Sequence, residues 1–139
     1  MSESLATYIA LPGTAEAAFN HWYSVLGGQL NIMKYRDFSM EGMPFEPDPN
    51  AVAHAVLVTD AGQIAGGDAM DGETDYPVRG TAYSLLYTAG SVPRAQEIID
   101  GFIAGGGSLG MPFAVAPWGG WYGQVFDKFG VMWALSVDA

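Results

Sequence analysis

Apolar and polar positions along this chain follow two rhythms, and the order of those rhythms occurs twice. Residues 5–11 (LATYIAL) form a short apolar run that reads as a strand and is broken by Pro12-Gly13-Thr14. Thr14 stands where a helix N-cap belongs, and helix formers follow it. Phe19, Trp22, Tyr23 and Leu26 then recur at i, i+3, i+4 and i+7, which predicts one apolar helical face. Gly27-Gly28 closes the helix, because glycine takes the left-handed C-cap conformation without steric cost. Residues 30–35 read as a strand. Residues 51–59 and 63–68 read as a hairpin about Asp60-Ala61-Gly62. In the second half, residues 81–88 make an aromatic and Leu-rich strand. Gly90-Ser91 breaks it, with Ser91 as N-cap and Pro93 tolerated in the first turn. Ala95, Ile98, Ile99, Phe102 and Ile103 predict a second helical face, ended by Gly105-Gly106-Gly107. Residues 109–116 form a strand, and residues 121–127 pair with 131–137 across Asp127-Lys128-Phe129-Gly130.

Both halves therefore read strand, helix, three strands. One such unit is too small to close a core alone. Two of them, side by side or across a dimer, can roll their sheets into a common cup. The expected fold is α+β: paired βαβββ modules forming a cupped half-barrel sheet with the helices outside. The expected organisation is one domain over residues 1–139, with module 1 at about 1–70 and module 2 at about 80–139. Residues 71–80 (DGETDYPVRG) are the polar linker. Whether the modules pair within one chain or across two is open, since both arrangements satisfy the same strands. Residues 37–50 (DFSMEGMPFEPDPN) break the symmetry: three prolines exclude regular helix, yet Met40, Met43 and Phe45 are too apolar for a simple solvated loop. Either the segment tucks these side chains onto the core, or it is a lid or dimer arm over the cup.

Composition narrows the function classes. The chain has 139 residues, half of them apolar and 13% aromatic, so an ordered core is expected. Its net charge of −10 argues against nucleic acid and anionic membrane, which need a cationic footprint. The absence of Cys removes disulfides, thiolate nucleophiles and thiolate metal sites. With no basic leader, no apolar run of spanning length and no Cys, the expected location is cytoplasmic.

Individual residues offer little acid–base chemistry. His54 lies mid-strand with Val52, Val56 and Val58 expected on its face; it is either a histidine satisfied by a neighbour or a pocket donor and general base. It is the best acid–base candidate in the chain. His21 is expected to be solvated on the polar side of the first helix. Asp68, Asp71, Glu73 and Asp75 lack calcium-loop spacing and read as a solvated run. Asp127 is expected to brace its turn through backbone bonds. Residues 105–110 (GGGSLG) match G-x-G-x-x-G formally, but they follow a helix and enter a strand, the reverse of what pyrophosphate binding needs. Tyr8, Tyr83, Tyr87, Trp118, Trp121, Tyr122, Phe126 and Trp133 sit on or beside the cup strands, as core, as interface, or as a stacking surface for a small molecule.

Three stretches together carry a family resemblance: LPGTAEAAFNHWYSVLGGQL (residues 11–30), AHAVLV (53–58) and WGGWYGQVFDKFGVMWAL (118–135). On these the chain resembles the PhnB-like branch of the vicinal oxygen chelate superfamily, which includes glyoxalase I, bleomycin-resistance proteins and extradiol dioxygenases. The resemblance implies the paired βαβββ fold and a divalent metal held by His and Glu, one ligand from each of four strands. Carried onto this sequence, those four places fall at Tyr8, Ser84 (within a residue or so), Ala65 or Gly66, and Ala134. None of these is a good neutral-pH ligand. The resemblance with this departure implies a metal-free, cofactor-free small-molecule-binding homodimer. Tyr8, His54, Ser84, Trp118, Tyr122 and Trp133 are expected to line or border its cup. The alternatives are a metal-dependent lyase, isomerase or dioxygenase of the superfamily, and a purely structural dimer with a filled cup.

Overall fold

The computed structural model describes residues 3–39, 41–42, 46–69 and 77–139. The chain divides into two compact units, residues 1–76 and 77–139, here called module 1 and module 2.

Module 1 runs β1 (Thr7–Leu11), α1 (Ala15–Leu26), β2 (Gln29–Lys34), a short 3-10 turn (Tyr35–Asp37), β3 (Val52–Thr59) and β4 (Gly62–Asp68). Its four strands lie in the order β1-β4-β3-β2, with β1 parallel to β4 and the other pairs antiparallel. Module 2 runs β5 (Leu85–Ala89), α2 (Val92–Ala104), β6 (Ser108–Val115), β7 (Trp121–Phe126) and β8 (Met132–Val137). Its order is β5-β8-β7-β6, again with the first strand parallel to the last. Each module is thus βαβββ, and the α+β class expected from the repeat is the class observed. Neither sheet closes into a barrel.

Each helix covers one face of its own sheet. In α1 the buried stripe is Ala15, Ala18, Phe19, Trp22 and Leu26, and Phe19 meets Trp22 edge-on with ring centroids 4.7 Å apart. Fully burying one such large side chain is worth about 1.5–3 kcal/mol. Tyr23, expected on this stripe, is exposed instead; two alanines take the adjoining places, where their small size lets the helix approach the sheet. In α2 the stripe is Ala95, Ile98, Ile99 and Phe102, while Ile103 lies outside it. Ser91 caps α2 as expected, its hydroxyl accepting from the Arg94 amide.

The cap of α1 differs. Thr14 makes no side-chain cap bond. Asp68, at the end of β4, accepts from the Ala15 amide at 2.9 Å with one carboxylate oxygen and from the Val52 amide at 2.8 Å with the other. The parallel pairing of β1 with β4 delivers that carboxylate to the helix start. Asp68 is therefore a brace and not part of a solvated acidic run, and a carboxylate there also suits the helix dipole. Asp71, Glu73 and Asp75 lie outside the described residues, as do Met40, Met43 and Phe45 of the segment expected to be a tucked connection or a lid. His21 is half-buried, where solvation was expected.

Strand β5 is shorter than the sequence suggested. Residues 81–84 precede it, so Ser84 is not in the sheet. In the parallel pairs, Tyr8 faces Ala65 across β1 and β4, and Leu86 faces Ala134 across β5 and β8. The module 2 counterpart of Tyr8 is Leu86.

Candidate functional site

Each sheet has a helix-covered face and an open face, and strict alternation assigns side chains to one or the other. In module 1, Tyr8, Ala65, Val56 and Asn31 form one row across the four strands on the open face. His54 stands beside Val56 on β3, two residues along, and shares that face. A register shift between Met33 and Lys34 takes Val52 out of the alternation, so Val52 is buried in the core and not beside His54 as expected. Tyr8 and His54 stack, with ring centroids 5.7 Å apart and planes at 23°; the Tyr8 hydroxyl lies 3.4 Å from His54 Nδ1. Burial pushes the Tyr8 phenol above its ordinary value, and the neighbouring Tyr35 adds to the rise. Tyr8 is therefore a neutral hydroxyl at physiological pH, able to donate or accept a hydrogen bond.

In module 2 the open face carries Leu86 and Thr88 of β5, Ala134 and Ser136 of β8, and Tyr122 and Gln124 of β7. The Thr88 and Ser136 hydroxyls are 2.9 Å apart, and Gln124 Nε2 donates to the Tyr122 hydroxyl at 3.0 Å. At the end of this face lies a cavity of about 380 Å³, lined by Leu86, Trp118, Trp121, Tyr122, Ser136 and Asp138 among others. That volume is within the range of small-molecule pockets, roughly 300–1,000 Å³. Trp118 is 72% exposed and Leu86 66%, so apolar surface is presented to whatever enters. The Trp118 and Tyr122 rings stand at 67° with centroids 5.6 Å apart, giving the cavity two differently directed aromatic walls.

Tyr8 and His54 come together on module 1, and Trp118 and Tyr122 come together on module 2. Trp133 belongs to neither group. It is 3% exposed, stacks on Phe102 of α2 at 4.9 Å, and donates its indole N–H to Asp127 Oδ2 at 3.0 Å. Period-two alternation explains this: Trp133 and Ala134 are neighbours in β8, so only one can face the open side. Ser84 lies ahead of β5, and Leu86 occupies the strand position assigned to it. Sequence reading missed Leu86, Ser136 and Asp138. The pairing of Tyr122 with Ser136, and of Ser136 with Thr88, is the signal that brings in the hydroxyls.

No family model matches the chain. Protein YjdN of Escherichia coli (strain K12) is 28% identical over 145 residues, covering 96% of this chain and 94% of its own length. The solved structure of protein PA1353 from Pseudomonas aeruginosa is 26% identical with a TM-score of 0.78, covering 99% of this chain and 98% of that one. A Bacillus cereus structure described as a putative 3-demethylubiquinone-9 3-methyltransferase, PhnB protein, is 22% identical with a TM-score of 0.71, covering 97% of this chain and 99% of that one. Structures described as glyoxalase/bleomycin resistance protein/dioxygenase superfamily members share the fold at lower identity. This is the vicinal oxygen chelate fold, with PhnB-like relatives.

The divalent metal associated with the vicinal oxygen chelate fold can be tested against the donors present. Gly66 is excluded as a ligand position because a Cβ there would sit 2.3 Å from the Ile9 carbonyl oxygen, on the helix side of the sheet. The four open-face places are then Tyr8, Ala65, Leu86 and Ala134. Three are hydrocarbon. The fourth is a phenol held in its neutral form, whereas a metal takes the phenolate. Among the described residues no group of three or more His, Asp or Glu is placed to hold an ion. The donor set does not fit a metal of this kind.

Proposed function

We propose that the chain is a small-molecule-binding protein that receives an aromatic or amphipathic ligand on the open faces of its sheets, without a metal ion. The observation that carries this reading is the cavity of module 2, where Trp118 and Leu86 are exposed beside Tyr122 on a sheet face that no helix of the module covers. Exposed Trp and Leu around a concavity are costly to leave in water and gain by covering. On the open face of module 1, considered by itself, Tyr8 and His54 offer a phenol and an imidazole as polar partners for a ligand. Structures described as bleomycin resistance proteins share the fold, which supports sequestration as a role, by analogy of architecture alone.

The reading includes a homodimer. Along β6, an edge strand, only Phe113 is even half-buried, and Leu109, Met111 and Val115 are exposed. Such an apolar edge invites a partner. It also includes a cytoplasmic location, supported by the absence of cysteine. Among the described residues no helix is long and apolar enough to cross a membrane.

Calorimetric titration with naphthylmethanol, in buffer containing a chelator, tests the binding reading. Saturable binding is expected, weakened at least about tenfold in Trp118→Ala with stability changed by less than about 0.5 kcal/mol, because Trp118 is a surface side chain. Absence of saturable binding, or binding that Trp118→Ala leaves intact, overturns the assignment of this cavity.

A further inference from the structure

Resting on the binding reading above, we infer that the module 2 cavity selects flat apolar ligands carrying an ammonium group and discriminates against their carboxylate counterparts. The cavity offers two kinds of partner to a cation. Trp118 and Tyr122 present π faces, whose quadrupole is negative, and their 67° inclination lets one ring stack on a flat ligand while the other borders its substituent. Asp138, exposed, lines the same cavity and carries a full negative charge. The hydroxyl of Ser136 lies in the same wall and can accept a hydrogen bond from an N–H.

The cavity offers nothing of comparable strength to an anion. Among the described residues that line it there is no Lys, Arg or His. Of the three cations of module 2, Arg79 lies over the Phe126 ring at 4.1 Å and Arg94 pairs with Glu97, and none of the three, Lys128 included, is among the described residues lining the cavity. A bound carboxylate would meet aromatic faces and a like charge at once. The net charge of −10 acts in the same direction at longer range, raising the local concentration of cations and lowering that of anions. The cavity's chemistry therefore distinguishes ligands by the sign of one group, with the apolar body held in common.

Three probes with one ring system isolate that sign: naphthylmethylammonium, naphthylmethanol and naphthylacetate, each titrated calorimetrically into the full chain near neutral pH at low ionic strength. The ammonium is expected to bind about tenfold tighter than the acetate, with the alcohol between them. Asp138→Asn is expected to bring the ammonium to within about twofold of the alcohol, both measured in that variant. Equal affinity for all three, or preference for the acetate, overturns the charge inference and leaves the binding reading standing. An ammonium preference that survives Asp138→Asn overturns the role given to Asp138. If none of the three saturates, the binding reading fails first and this inference with it.

Discussion

Asp127 is 3% exposed and accepts hydrogen bonds from the Phe129 amide at 2.8 Å, the Val131 amide at 3.0 Å and the Trp133 indole at 3.0 Å. One carboxylate thereby holds the β7–β8 turn and fixes the orientation of the buried Trp133 indole. Removing it strands buried donors, which costs more than the bonds themselves contribute. Asp127→Ala is expected to destabilise the fold by about 3 kcal/mol or more, read as a lower urea midpoint with an unchanged m-value. The turn brace was legible in the sequence, because Asp next to Lys-Phe-Gly is turn chemistry. The bond to Trp133 was not, since it depends on which face of β8 that indole takes. Tyr8 supports a second prediction at this scale. Tyr8 is 56% exposed, yet the partial burial of its phenol disfavours the phenolate and, with Tyr35 beside it, raises the phenol above the ordinary value of 10.0. From pH 10 upward the unfolded chain loses this proton before the folded chain does, so stability falls as pH rises through that window. Tyr8→Phe is expected to flatten the fall above about pH 10 and to leave the pH dependence below it unchanged, measured by urea unfolding across the alkaline range.

At the scale of elements, alternation decides which residues can share a site. Trp133 was expected in the cup on its aromatic character, yet it is adjacent to Ala134, and two consecutive strand residues cannot both face the open side. Its true partner is α2. Phe102→Ala would open a cavity against the Trp133 ring and is expected to cost about 3–5 kcal/mol, with a change in Trp fluorescence as the indole loses its cover. The helices and hairpins were legible because their signals are local: apolar residues at helical spacing, and glycines at helix ends and turns. Strand β5 was placed too early because Thr81 and Tyr83 have strand character, while the parallel partner β8 begins its pairing at Leu85. That register is set by a strand about fifty residues away, and no local pattern reports it. The same limit hid Asp68, whose two amide donors lie 53 and 16 residues from it in sequence.

At the scale of the whole molecule, the two modules share one topology. In each, the first and last strands place a facing pair on the open side: Tyr8 with Ala65, and Leu86 with Ala134. The repeat was visible in the sequence because each module carries the same local signals, an apolar helical stripe between apolar strands. Of the four positions that the resemblance points to, Tyr8 and Ala134 were placed from the sequence, Ala65 was one of two choices there, and the one assigned to Ser84 belongs to Leu86. Replacing a polar candidate by an aliphatic side chain strengthens the case for an apolar cavity over a metal centre. Light scattering is expected to give the mass of two chains at micromolar concentration; a change of Leu109 to Glu on the exposed edge β6 is expected to shift that equilibrium towards the single chain without unfolding it.

A crystal soaked with both naphthylmethanol and manganese, followed by an anomalous difference map, puts the ligand cavity and the metal positions in one experiment. The account predicts ordered density for the ring against Trp118 and Tyr122, and no anomalous peak beside Tyr8 and Ala65 or beside Leu86 and Ala134. A coordinated manganese at either pair, with the aromatic cavity empty, would contradict it.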